Sequence, residues 1–243
     1  LAGHDGFPIN DIGFSPDGKW IATAGDDYLV KIWNADTGDL REPVLSGHTE
    51  KVSSIEFNLD GTQLVSGSWD DTAIIWNVAT SSPIFTLPTD GYSEDTDEDV
   101  ESVAFSPDGS RVITGGYKTV IVWNALDGTE IQRLYGNHAD IYDVDFAPDN
   151  SSLITASSGM KVWDNNTGTE RYNLSAHHGE VNSVAFNKTG GQMVTGSWDF
   201  TAKLWAVDLK IETQRFERDN VPNLDATYSP DGKWIAITDV NWN

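Results

Sequence analysis

The chain of 243 residues contains no cysteine. Disulfides, thiolate nucleophiles and cysteine-held metals are therefore excluded. It is also poor in positive charge. Fifteen lysines and arginines face 38 aspartates and glutamates, a net charge of −23. A phosphate backbone would be repelled over most of such a surface, and so would an anionic membrane. Nucleic acid is not an expected partner, whereas basic proteins and cations are compatible. No apolar run approaches the roughly 18–20 residues that a membrane helix needs, so no membrane insertion is expected. Also missing are a phosphate loop, an HExxH pair, a GxGxxG before a helix and a GxSxG elbow. No cofactor is implied.

Tryptophan is what the chain has in plenty. There are ten, set among short clusters of glycine, aspartate and asparagine. This composition suits a turn-rich β protein. Five of the tryptophans, Trp33, Trp76, Trp123, Trp163 and Trp205, recur at intervals of 43, 47, 40 and 42 residues. Self-similarity at such a period signals a repeat architecture. Each is preceded by an apolar stretch: LVKIW, TAIIW, TVIVW, GMKVW and TAKLW. About a dozen residues earlier stands a second β-like run: WIATAG, QLVSGS, RVITGG, SLITAS and QMVTGS. Earlier again comes a third: INDIGF, VSSIEF, VESVAF, IYDVDF and VNSVAF. Alternation rich in valine, isoleucine and threonine predicts strands.

The connections have turn chemistry. SPDG occurs at Ser15–Gly18, Ser106–Gly109 and Ser229–Gly232, and APDN, NLDG and NKTG fill the same slot elsewhere. A second turn follows the tryptophan, as in NADTG and DNNTG. A short fourth strand, such as REPVLSGH, then leads to the next repeat. Four strands every forty-odd residues, with Gly-His before the first and Trp-Asn or Trp-Asp after the third, resembles the WD40 family. The resemblance covers nearly the whole chain. It implies an all-β fold: a WD40-type β-propeller of four-stranded antiparallel blades around a central channel. One such sheet cannot bury both faces alone, but stacked copies can.

The repeats run approximately over 3–46, 47–90, 91–135, 136–175 and 176–219, with a partial sixth over 220–243. In the sixth, YSPDGKWIAIT matches FSPDGKWIATA of the first. About six blades are thus visible, and seven is the family's commonest number. The opening LAGH matches the end of a blade's outer strand. The chain therefore reads as part of a longer protein, with ring closure expected to need residues beyond both ends.

Repeat one offers His4, Thr23 and Asp27, repeat two His48, Ser66 and Asp70, and repeat five His177, Thr195 and Asp199. A Ser-His-Asp set invites a hydrolase reading. Three features oppose it. The set recurs, threonine replaces serine, and a tryptophan (Trp33, Trp76 or Trp205) joins each set at fixed spacing. An indole N–H needs an acceptor when buried. The hydroxyl can accept from it and donate to histidine, which can donate to the carboxylate. The four look like the family's structural tetrad, and no catalytic residue is expected. Repeats three (TGGYKTVIVW) and four (TASSGMKVW) have turns shorter by one and two residues and lack the turn aspartate. Repeat three also lacks the histidine, and His138 of repeat four sits one place closer to its strand. His178 is a spare histidine on a loop.

Two segments are candidates for function. The acidic stretch Ser93–Glu101 places Asp95, Asp97 and Asp99 in alternation, like the opening of a calcium loop. Val100 then replaces the turn glycine, which favours a solvated loop or one that meets a basic partner. The residue before the turn aspartate is the other candidate. By resemblance this turn lies on the top rim of the propeller, and it holds Asp26, Trp69, Tyr117 and Trp198 in alignable blades. Glu50, Ser53 and Asn182 are their polar neighbours. A tryptophan on a tight turn suggests a contact surface, although each indole could instead cap its own blade.

The expected function is a protein-interaction or scaffolding module, a sensor or assembly arm of a larger protein. Its partners would be other proteins, other domains of the same protein, or further copies of itself. A structural repeat unit of a cell-surface assembly is the alternative, and a propeller enzyme or ligand-binding ring is disfavoured for want of convergent charged residues. The family precedent is intracellular, and the surface assembly would be extracellular.

Overall fold

The structure, a computed structural model, describes residues 3–89, 99–208, 210–217, 223–229 and 231–239. All regular structure among them is β. Blade 1 contains β1 (Ile9–Phe14), β2 (Trp20–Gly25), β3 (Leu29–Asn34) and β4 (Leu40–Ser46). Blade 2 contains β5 (Val52–Phe57), β6 (Gln63–Ser68), β7 (Thr72–Asn77) and β8 (Ser82–Pro88). Blade 3 contains β9 (Val100–Phe105), β10 (Arg111–Gly116), β11 (Val120–Asn124) and β12 (Glu130–Leu134). Blade 4 contains β13 (Asp143–Phe146), β14 (Ser152–Ala156), β15 (Met160–Asp164) and β16 (Glu170–Leu174). Blade 5 contains β17 (Val181–Phe186), β18 (Gln192–Ser197), β19 (Thr201–Ala206) and β20 (Ile211–Glu217). A two-stranded sheet follows, β21 (Asn223–Tyr228) with β22 (Ile235–Asp239). Each four-stranded sheet pairs its strands in sequence order, antiparallel. The chain divides into two compact units, Leu1–Arg133 and Leu134–Asn243.

The strands and turns follow from local chemistry. In SPDG the Ser15 hydroxyl donates to Asp17 Oδ1 at 2.7 Å, and Gly18 N donates to Ser15 O at 2.9 Å. Gly18 takes φ +72°, a region that disfavours a side chain. APDN has no glycine there, and Asn150 takes φ +59° instead, a role asparagine tolerates.

The core lies between blades. In the first unit, Ala22, Val30 and Ile32 of blade 1 pack with Val52, Leu64, Ile74 and Trp76 of blade 2. The opposite face of blade 2, with Val65, Ala73 and Ile75, packs with Val103, Ile121 and Trp123 of blade 3. In the second unit, Ile154, Met160 and Val162 of blade 4 meet Val184, Met193 and Trp205 of blade 5. A blade covered on both faces has no outward side to its middle strands. That is why β6 and β7 are buried almost throughout instead of alternating. Each fully buried aliphatic contributes roughly 1.5–3 kcal/mol relative to exposure. β1 is the exception: Ile12 is 58% exposed, where its counterpart Ile55 is 6% exposed.

A second set of contacts joins neighbouring blades. The first strand of a blade is paired only with the second, so its free edge carries backbone groups that need partners. The preceding blade supplies them. Asp11 Oδ2 accepts from Ile55 N at 2.8 Å, and Ser54 Oγ accepts from Val103 N at 3.2 Å. In the second unit Asp143 Oδ2 accepts from Val184 N and Ser183 Oγ from Ala226 N, both at 2.8 Å. One rule covers all four: the residue three places before the closing aromatic of one first strand accepts from the residue two places before the closing aromatic of the next. Two residues further on, Glu56 accepts from Phe105 N and Asp145 Oδ2 accepts from Phe186 N.

Candidate functional site

The described structure brings each of the three histidine sets together. In blade 1, His4 Nδ1 lies 2.8 Å from Asp27 and Nε2 lies 2.7 Å from Thr23 Oγ1, which accepts from Trp33 Nε1 at 2.9 Å. The same three distances in blade 2, for His48, Asp70, Ser66 and Trp76, are 3.0, 2.7 and 2.8 Å. In blade 5, for His177, Asp199, Thr195 and Trp205, they are 2.9, 2.8 and 3.0 Å. Proton bookkeeping then follows. The indole can only donate, so the hydroxyl accepts from it and spends its one hydrogen on His Nε2. The histidine proton must then sit on Nδ1, facing the carboxylate.

In blades 2 and 5 the carboxylate is also tied to the backbone of the loop before the first strand. Thr49 N donates to Asp70 at 2.8 Å and His178 N donates to Asp199 at 2.9 Å. Thr72 and Thr201 add hydroxyl bonds at 2.5 and 2.6 Å. At Asp70 burial is the largest single influence, and it opposes ionisation. The donors from His48, Thr72 and Thr49 outweigh it together and hold the carboxyl at about 2. Asp199 behaves alike, at about 2, through Thr201, His178 N and His177. Burial lowers His177, against the pull of Asp199, and so favours the neutral ring. The glycine of Gly-His has a steric reason. A Cβ on Gly47 would come within 3.0 Å of the Trp76 ring, and one on Gly3 would overlap Trp33.

Blades 3 and 4 keep only half of this chain. Trp123 Nε1 donates to Thr114 Oγ1 at 3.1 Å, and Trp163 Nε1 to Thr155 Oγ1 at 3.2 Å. His138 is exposed and stands outside that pair.

The turn residues sit where the second strand hands over to the third. Trp69 N bonds Lys51 O, Trp198 N bonds Glu180 O and Asp26 N bonds Pro8 O, at 3.0–3.1 Å. Trp69 is 38% exposed, with the Lys51 ammonium over its ring. Trp198 is 49% exposed, and the ring of Tyr142 leans on it at 6.1 Å. Tyr142 in turn donates its hydroxyl to Glu180 at 2.8 Å. Tyr117 is half-buried and accepts from Lys118 Nζ at 2.6 Å. Asp26 accepts from Asn10 Nδ2 at 2.8 Å. Glu50 is exposed and Asn182 half-buried. The Ser53 hydroxyl is engaged with Gly67 O at 3.1 Å and with Val100 O of the next blade. Asp95 and Asp97 lie outside the described residues. Asp99 immediately precedes β9, and its carbonyl lies against Gly116.

Three lysines escaped the sequence reading. Lys31, Lys161 and Lys203 each stand two residues before the strand-three tryptophan. Each donates to the carbonyl just before the Gly-His histidine or its replacement: Gly3, Gly136 and Ala176. Their ammonium groups are paired with Asp27, Glu170 and Glu212 at 2.6, 2.7 and 3.2 Å. The signal was present as a charge inside LVKIW, GMKVW and TAKLW, stretches that otherwise read as core.

Stacked four-stranded blades, each held by an indole bonded to a buried hydroxyl, define a bladed all-β repeat protein. A family model described as WD domain, G-beta repeat matches residues 1–34, 41–77, 82–124, 128–164 and 168–206. The chain belongs to the WD40 family. Periodic tryptophan protein 2 of Arabidopsis thaliana is 27% identical over 232 residues, 95% of this chain and 21% of that protein. Protein HIR1 of Eremothecium gossypii is 28% identical over 187 residues, 66% of this chain and 23% of its own length. An uncharacterized WD repeat-containing protein of Synechocystis sp. is 41% identical over 112 residues, 44% of this chain and 30% of that one. The chain thus spans less than a third of the length of these relatives. WD40 repeat proteins are typically protein-interaction and scaffold modules, and generally non-catalytic.

Proposed function

We propose that this chain is a non-catalytic interaction module that holds a partner protein through its turn aromatics, Trp69 in the first unit and Trp198 in the second. One contrast carries the reading. The strand-three tryptophans are at most 4% exposed, whereas these two present 38% and 49% of their surface on turns. Indoles that are rigidly held and half exposed are the usual anchors of interfaces. The net charge of −23 selects a partner with a basic face.

Catalysis by the histidine sets is disfavoured on access. The hydroxyls of Ser66 and Thr195 belong to residues with no exposed surface, and each already serves an indole and an imidazole. No substrate carbonyl could reach them. The sets act as internal bracing.

The test is quantitative affinity capture with the purified chain as bait, beside Trp69→Ala, Trp198→Ala and the double variant. The reading expects recovery of a saturable protein partner to fall at least tenfold in the double variant, with melting temperature unchanged. Equal recovery by all four baits would overturn it.

A further inference from the structure

Blade 4 differs from blades 1, 2 and 5 where they hold histidine and aspartate. Asn137 stands four residues before Ile141, as His48 stands before Val52 and His177 before Val181. It therefore takes the histidine's place. Thr155 keeps the hydroxyl that receives an indole proton. The turn Ser157–Gly159 is two residues shorter than in blade 2 and carries no aspartate.

Two buried polar groups are left over. Asn137 is 8% exposed and its Nδ2 has no hydrogen-bond partner among the described residues. Ser157 is 7% exposed and its Oγ has none either. Buried donors without acceptors are costly, so each is expected to meet one. Both line a single cleft of about 200 Å³, together with Lys161, Asn173, Ser175 and His138. Lys161 Nζ spends one donor on Gly136 O at 2.8 Å and one on Glu170 at 2.7 Å. An ammonium has three donors, so one remains. Asn173 Oδ1 already accepts from Ser175 at 2.9 Å.

Blade 1 shows what such donors hold. There the equivalent lysine, Lys31, and the ring of His4 converge on the carboxylate of Asp27, at 2.6 and 2.8 Å. Blade 4 keeps the lysine, replaces the ring by an amide donor, adds a hydroxyl, and has no carboxylate on its turn.

We propose that this cleft binds a carboxylate supplied from outside the blade, which takes the part that Asp27 plays in blade 1. An acceptor-only group with two oxygens and a negative charge matches Asn137 Nδ2, Ser157 Oγ and the third donor of Lys161. The source is either a glutamate or aspartate side chain of a peptide or a small free dicarboxylate. The overall acidity opposes an approaching anion, so affinity for a small probe is expected on the order of millimolar. Neither Trp69 nor Trp198 is among its lining residues, and their double variant keeps it.

The test uses the whole chain, isotope-labelled, with the Asn137 side-chain amide followed by NMR. Four probes are titrated: glutarate, its neutral diamide, and a capped tripeptide with glutamate or with glutamine at its centre. The proposal expects a saturable shift of the Asn137 amide with glutarate, with the glutamate peptide, or with both, and at least tenfold weaker binding of the neutral counterparts. Binding of glutarate alone identifies a free acid as the source, and binding of the peptide alone identifies a side chain. Ser157→Ala is expected to weaken binding severalfold and Lys161→Met at least tenfold. Ser157→Ala removes one hydroxyl and carries the test if Lys161→Met does not fold. Equal binding of the neutral probes, or no shift with any probe because solvent alone meets the donors, would overturn the assignment.

Discussion

Blade 2 joins His48, Ser66, Asp70 and Trp76 in one hydrogen-bonded chain, whereas blade 4 retains only the bond between Trp163 and Thr155. Both blades still form four strands in the same order. Apolar burial between blades therefore suffices to build the sheet. The polar chain does something more local: through Thr49 N and Asp70 it ties the entry loop to the turn. In blade 2 the first strand starts at Val52, four residues after the histidine. In blade 4 it starts only at Asp143, six residues after Asn137, and is four residues long instead of six. Fold and bracing are separable.

The comparison can be broken or sharpened by substitution. The largest effect is expected at the indoles. Trp76→Ala and Trp163→Ala should each cost about 3–5 kcal/mol in urea denaturation, because both rings fill a core. A much smaller cost for Trp163→Ala would mean that packing and bracing are coupled after all.

Next come the tetrad carboxylates. Asp70→Ala should cost about 1–3 kcal/mol by stranding the proton of His48, while Asn137→Ala in blade 4 should cost far less. The pH dependence has a definite sign. Asp70 and Asp199 are held at about 2, below their ordinary 3.8. Their contribution is complete above about pH 4 and is lost as pH falls toward 2.

Asp145 has the opposite sign. Desolvation raises it to about 7, against the N–H groups of Phe186 and Phe146. Its contribution is complete below about pH 4 and fades as pH rises through 7. Asp145→Asn keeps an acceptor for Phe186 N, and should flatten the stability of the second unit between pH 4 and 7 in thermal melts. An unchanged slope would show that Asp145 ionises normally.

The smallest effect concerns the turns. Phe200 holds φ +68° just after the turn aspartate. Phe200→Gly should relieve that strain and change stability by about 0.5–1 kcal/mol, in the stabilising direction. Blade 4 has no such residue, since its turn is too short to need one.

Strands and turns were legible because their signals are local. INDIGF, WIATAG and LVKIW became β1, β2 and β3, and SPDG formed the expected turn at Gly18. The four tetrad partners were legible as well, because an indole proton needs an acceptor and the same spacing recurs three times. Lys31, Lys161 and Lys203 were not, since a lysine in a strand states its charge and not its burial. Ser53 read as a surface residue, yet its hydroxyl serves Val100 O on the neighbouring blade.

The sequence by itself determined the repeat, the strand order within each blade and the residue types that complete a Trp–Ser/Thr–His–Asp chain. These depend on turn chemistry, on donor count and on a spacing that recurs from one repeat to the next, all of which are read along the chain. Only the tertiary structure decided which edge meets which: that Asp11, Ser54, Asp143 and Ser183 serve the next blade's backbone, and that Asn137 and Ser157 share one cleft with Lys161. The edge bonds join residues 41 to 49 positions apart in the chain, and the cleft brings Asn137 to a turn that begins twenty positions later. Their partners are set by how sheets stack, and a stacking offset leaves no mark in local sequence.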